Sequence, residues 1–211
     1  MTTLAIALRK ITCVIEQESS DEPYVIVSAI DLSRKVTIPG QPSVIIPSVK
    51  TVRVGPFTNS VDTGQQVPIV PAAVCWGVDD SPEPVKSLDD FIILVAMMEH
   101  DDTNVNVVRS VVNLVITTSA LANASAMPRA KLVKELATEM KGAIASANAT
   151  QPFNSDELIG HVSELRLTDA QFKSLGANKK VKLDHALPFK KDEFGDDVTY
   201  KLTFAVRNFA F

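Results

Sequence analysis

Apolar residues fall on every second position near both ends of this chain and on every third or fourth position in its middle. Strands must therefore fold on either side of a helical segment. Leu4, Ile6 and Leu8 alternate with other residues, and Ile11, Cys13 and Ile15 continue the alternation as a half-buried strand. Residues 24–30 are rich in β-branched and aromatic side chains and read as a second strand. Near the far end Tyr200, Leu202, Phe204 and Val206 alternate strictly, and residues 161–167 also have strand character.

The middle of the chain changes period. Val108, Val111, Val112 and Val115 repeat at helical spacing. Pro128 suits a first helical position, and Leu132, Val133, Leu136, Met140, Ala143, Ile144 and Ala147 then form one stripe opposed by Lys131, Lys134, Glu135, Glu139 and Lys141. Residues 91–98 are almost continuously apolar, which predicts a strand buried on both faces. The prolines at 39, 42, 47, 56, 68 and 71 limit that region to short strands near 48–54 and 67–70. A further strand is expected at 72–78, before a surface loop at 79–84.

The strands on either side of the helical pair need each other to complete a core. The order therefore predicts a mainly β fold in one domain, residues 1–211. It is an antiparallel β-sandwich of about eight strands with a helical insertion, an αα-hairpin, at 103–153.

With 45% hydrophobic and 22% charged residues the chain should fold unaided. The net charge is −4, and Lys and Arg are scattered, with no basic stripe longer than the pairs Lys179-Lys180 and Lys190-Lys191. Phosphate-backbone affinity needs clustered positive charge, so nucleic acid is excluded as a partner. Cys13 and Cys75 each sit in an apolar strand context, and two cysteines make no disulfide framework. Residues 1–8 carry no basic region ahead of their apolar run, and no stretch reaches the ~18 apolar residues of a spanning helix. The expectation is a protein that is cytoplasmic, or released without a conventional signal peptide.

Catalytic signatures are missing from the sequence. There is no Gly-x-Ser-x-Gly, no phosphate-binding glycine loop, no His-Glu-x-x-His and no dinucleotide fingerprint. Glu99 and Asp101 could pair as acid and base, but a single Trp76 and two tyrosines make a poor carbohydrate cleft. His161 and His185 have no Cys or His at ligand spacing. The chain reads as a binding protein, not an enzyme.

Three segments concentrate carboxylates: residues 16–22 (Glu-Gln-Glu-Ser-Ser-Asp-Glu), 99–102 (Glu-His-Asp-Asp) and 154–157 (Asn-Ser-Asp-Glu). Carboxylates converging at one end of a sandwich repel unless a cation sits among them, and calcium is the hard, oxygen-seeking cation that tolerates irregular coordination. Ser20-Asp21-Glu22-Pro23-Tyr24-Val25 resembles the Ser-Asp-Pro-Tyr-Val strand entry of the C2 domain family, with one extra residue at Glu22. Glu99-His100-Asp101 resembles that family's Asp-x-Asp loop, and Asp156-Glu157-Leu158-Ile159-Gly160 resembles its Asp-x-Ile-Gly strand start.

Position 99 departs from the pattern in being Glu, and the spacing before Gly160 selects Glu157 over Asp156. The insertion also separates two acidic segments that the family joins by a few residues. The resemblance implies a C2-like β-sandwich that binds calcium and then an anionic membrane surface, or a protein partner. Its candidate ligands are Glu18, Asp21, Glu99, Asp101, Asp156 and Glu157. Two alternatives stand beside it. One is a pore-forming or insecticidal-type toxin whose helices penetrate a bilayer; the other is a self-assembling structural protein, a homo-oligomer.

Overall fold

A computed structural model of the chain describes residues 4–15, 22–57, 61–77, 87–101, 104–149, 156–177, 182–191 and 198–208. The strands are β1 (Leu4–Ile15), β2 (Pro23–Asp31), β3 (Lys35–Val36), β4 (Val44–Ile45), β5 (Ser48–Val54), β6 (Gln66–Trp76), β7 (Phe91–Glu99), β8 (Glu157–Glu164), β9 (Lys182–Lys191) and β10 (Val198–Asn208). The helices are α1 (Val105–Asn123), α2 (Arg129–Asn148) and α3 (Asp169–Ala177).

Eight of the strands form two four-stranded antiparallel sheets, one in the order β6-β1-β10-β9 and the other β5-β2-β7-β8. Strands β3 and β4 make a separate small hairpin. One buried cluster draws on all eight long strands, with Leu8, Ile11, Trp76, Tyr200 and Phe204 from the first sheet meeting Val25, Val27, Val95, Met97 and Ile159 from the second. The opposite face of the second sheet carries Ile26, Ile30, Ile92, Leu94 and Met98, which pack against Val108, Val112 and Ile116 of α1 and Leu132, Leu136, Met140 and Ile144 of α2. Strands β2 and β7 are therefore covered on both sides, as the unbroken apolar run at 91–98 predicts.

The alternation in β1 shifts phase between Leu8 and Ile11 because the register against both β10 and β6 slips between Leu8 and Lys10. A bulge there turns Leu4, Ile6 and Leu8 inward before it and Ile11 and Cys13 after it, while a second slip between Cys13 and Ile15 leaves Ile15 exposed, against the sequence expectation. The helical stripes also follow the sequence expectation, and Val111, Val115 and Val133 are half-buried at their margins. Pro128 is the N-cap of α2 rather than its first turn.

One local expectation is corrected. The two short strands foreseen at 67–70 and 72–78 are one strand, β6, because it lies at a sheet edge where Pro68 and Pro71 cost no central ladder bond. It ends before Gly77, where φ is +99° and a Cβ would lie 2.2 Å from the Leu4 carbonyl oxygen. Strand β9 and helix α3 were not foreseen. Cys13 and Cys75 are both buried free thiols.

Candidate functional site

The second sheet brings the acidic segments together by register. Pro23 opens β2 opposite Glu99 at the end of β7, and Glu99 in turn faces Glu157 at the start of β8. The backbone N–H of His100 donates to the Glu22 carbonyl at 3.2 Å, which fastens the β7 exit to the β2 entry. Glu22, Glu99, Asp101, Asp156 and Glu157 thus share one end of this sheet. Of the six candidate ligands, Glu18 and Asp21 lie outside the described residues. Asp101 and Glu157 are exposed, Glu99 is half-buried and Asp156 is buried.

Asp156 points inward and anchors this end of the sheet. Its Oδ2 accepts from the Tyr24 hydroxyl at 2.7 Å, and its Oδ1 accepts from the Asp101 backbone N–H at 3.0 Å. The His100 Nδ1 lies 3.1 Å from the same Oδ1. A carboxylate offers only acceptors, so Nδ1 carries the ring proton and donates. The Asp156 carbonyl accepts from the Asn148 side chain at the end of α2. One side chain therefore ties the β2 entry, the β7 exit and the β8 start together, while its own backbone joins them to the helical hairpin. Tyr24 also meets the His100 ring edge-on, with centroids 6.0 Å apart.

Burial, and then the hydrogen bond to Asp156, push the Tyr24 phenol well above the ordinary tyrosine range, so it stays a neutral donor. Burial likewise pushes the Cys75 thiol up to about 12. Both groups hold their protons more tightly in the folded chain than in the unfolded one. As pH rises, the unfolded chain deprotonates first, so this contribution is complete below about pH 9 and declines above it. Melting at pH 8 and pH 10.5 is expected to show that decline, and the double variant Tyr24→Phe/Cys75→Ala to flatten it. Equal slopes in the two proteins would assign the alkaline loss to other groups.

Among the described residues, no group of three or more His, Cys, Asp and Glu side chains is arranged to hold a metal ion. Both Asp156 oxygens are engaged with protein donors. Glu157, by contrast, is exposed.

Two features escape sequence reasoning. Arg129, the first residue of α2, is half-buried and donates to the Phe91 carbonyl at 2.9 Å and to Glu164. A groove with a cavity volume of about 490 Å³ runs between β5 and α1, lined by Arg53 and Arg109, which are far apart in sequence. A lone arginine straight after Pro128 is a faint signal for the first, and nothing local signals the second. The chain matches no family model, no curated protein and no solved structure.

Proposed function

We propose that the chain is a non-enzymatic binding module, a C2-like β-sandwich whose acidic rim takes calcium and then engages an anionic membrane surface or a protein partner. The observation that carries this reading is the register that aligns Pro23, Glu99 and Glu157 across three neighbouring strands, with Asp101 and Asp156 beside them. In this mechanism Asp156 holds the β7 and β8 ends in place, and the peripheral carboxylates Glu99, Asp101 and Glu157 face the cation. Glu18 and Asp21, which lie outside the described residues, are the two further ligands assigned in this reading. The bound cation neutralises the rim and bridges to an anionic group of the partner.

Melting in EDTA, magnesium and calcium tests the cation directly. Calcium at about 100 times its Kd should stabilise by ~2.7 kcal/mol, a rise on the order of 5–10 °C for a chain of this size. Asp101→Asn/Glu157→Gln should abolish the rise and the calcium-dependent pelleting with anionic liposomes. Because both side chains are exposed, the fold of that variant should persist. A melting point indifferent to calcium would remove the cation from the mechanism.

A second reading, membrane penetration by the helical hairpin, has its own observation. The sequence expectation that no stretch is long and apolar enough to span is corrected here: helix α1 is, by length and composition. Its outward face carries Val107, Leu114 and Leu121 at seven-residue intervals, all exposed. The charges of α2 and its buried stripe favour the docked state.

A further inference from the structure

The groove between β5 and α1 has the architecture of a peptide site. Strand β5 pairs only with β2, so its other edge has no strand beside it among the described residues. Five consecutive residues, 49–53, line the groove. Because successive side chains of a strand point to opposite faces, a run of five lines a cavity only along the strand's edge. The facing wall is Asn106, Arg109, Ser110 and Asn113 of α1, whose spacing of three, four and seven places them on one side of two helical turns. That wall is about 10 Å long at 1.5 Å per residue, the length of about three extended residues at 3.3 Å each.

The charge of the groove selects its occupant. Arg53 and Arg109 line it together with Lys50, and no acidic residue does. This positive lining belongs to a chain whose net charge is −4. Neither Arg53 nor Arg109 has a hydrogen-bond or ion-pair partner among the described residues, and guanidinium groups are suited to paired hydrogen bonds with carboxylates. The same positive charges oppose pairing of β5 with the β5 of a second copy.

We propose that this groove receives an extended acidic segment of a partner protein, which adds to the β5 edge as a fifth strand and sets its carboxylates on Arg53 and Arg109. Main-chain hydrogen bonds along β5 would give affinity and the two arginines the preference for acidic side chains. This site is separate from the acidic rim, and the proposal does not rest on calcium.

Panning a phage-displayed library of random decapeptides on the full chain tests it, with Arg53→Glu/Arg109→Glu as the counter-target. Peptides bearing Asp or Glu at alternate positions should be enriched on the natural chain alone. A synthetic copy of the enriched sequence should bind at least tenfold more weakly to the double variant, and should shift the amide resonances of residues 48–54. The exposed Arg109→Glu variant by itself should weaken binding severalfold with an unchanged melting point, which separates loss of the site from loss of fold. Failure to enrich acidic sequences would overturn the proposal. So would undiminished binding of the peptide with its alternate amides N-methylated, since carboxylates alone would then account for recognition. Concentration-dependent dimerisation abolished by peptide would instead assign the edge to a second copy and overturn the acidic partner.

Discussion

Replacing Asp156 by alanine is expected to cost about 3–5 kcal/mol of stability, because it orphans one buried and two part-buried donors at once, with a penalty of about 1–3 kcal/mol for a fully buried one. The Tyr24 hydroxyl, the Asp101 N–H and the His100 ring all converge on this one carboxylate, whose side chain is wholly buried. In a chain of this length the loss corresponds to a fall of roughly 10 °C in melting temperature. Asp156→Asn should cost less. Its amide nitrogen can face the Tyr24 oxygen, which accepts as well as donates, while its carbonyl still accepts from Asp101. Tyr24→Phe removes a single donor and should cost about 1–2 kcal/mol. Urea titration of the three variants checks this order. A loss below about 1 kcal/mol for Asp156→Ala would show that water or rearrangement satisfies the donors, and that the hub is not structural.

The same variant links fold to proposed function. Asp156 holds the Asp101 backbone in place, and Asp101 is one of the residues assigned to the cation. Asp156→Ala should therefore lose stability and calcium response together, whereas Asp101→Asn should lose the response with little change in stability. Positioning and ligation become separable by comparing the two.

Local periodicity explains what could be read from the chain. The stripe of α2, the double burial of 91–98 and the phase shift at Leu8 are all set by neighbours a few residues away, and the sequence displays them directly. The strands that flank the acidic segments, β2, β7 and β8, were also legible. The inward turn of Asp156 was not, since its partners Tyr24 and His100 lie 132 and 56 residues away. A carboxylate reads alike in sequence whether it meets donors or solvent. Strand β9 was obscured for a different reason: Pro188 and the lysines at 190 and 191 look like loop, but β9 lies at a sheet edge, where both are tolerated. The Arg53–Arg109 groove exists only because α1 packs beside β5.

Arg129→Met is expected to lower stability by about 2–4 kcal/mol, roughly 5–10 °C in melting temperature. The arginine is 11% exposed; it donates to the Phe91 carbonyl and to Glu164, and its Nε lies 3.7 Å from Asp89. Methionine keeps the apolar stem but leaves Glu164 without its cation in a half-buried site. Arg129→Met/Glu164→Gln should recover part of the loss, because it removes the stranded charge, and the difference between the two variants measures the coupling. Arg129 also fastens the start of α2 to the strands on which the helical hairpin lies, so the variant decides between the two functional readings. For a docked binding module it should melt earlier and release no dye from anionic vesicles below its melting temperature. A release that rises with loss of the Arg129 anchor, and falls again in Leu114→Lys, would mean that the hairpin leaves the sheet to enter the bilayer. Arg129 would then be the latch that penetration must break.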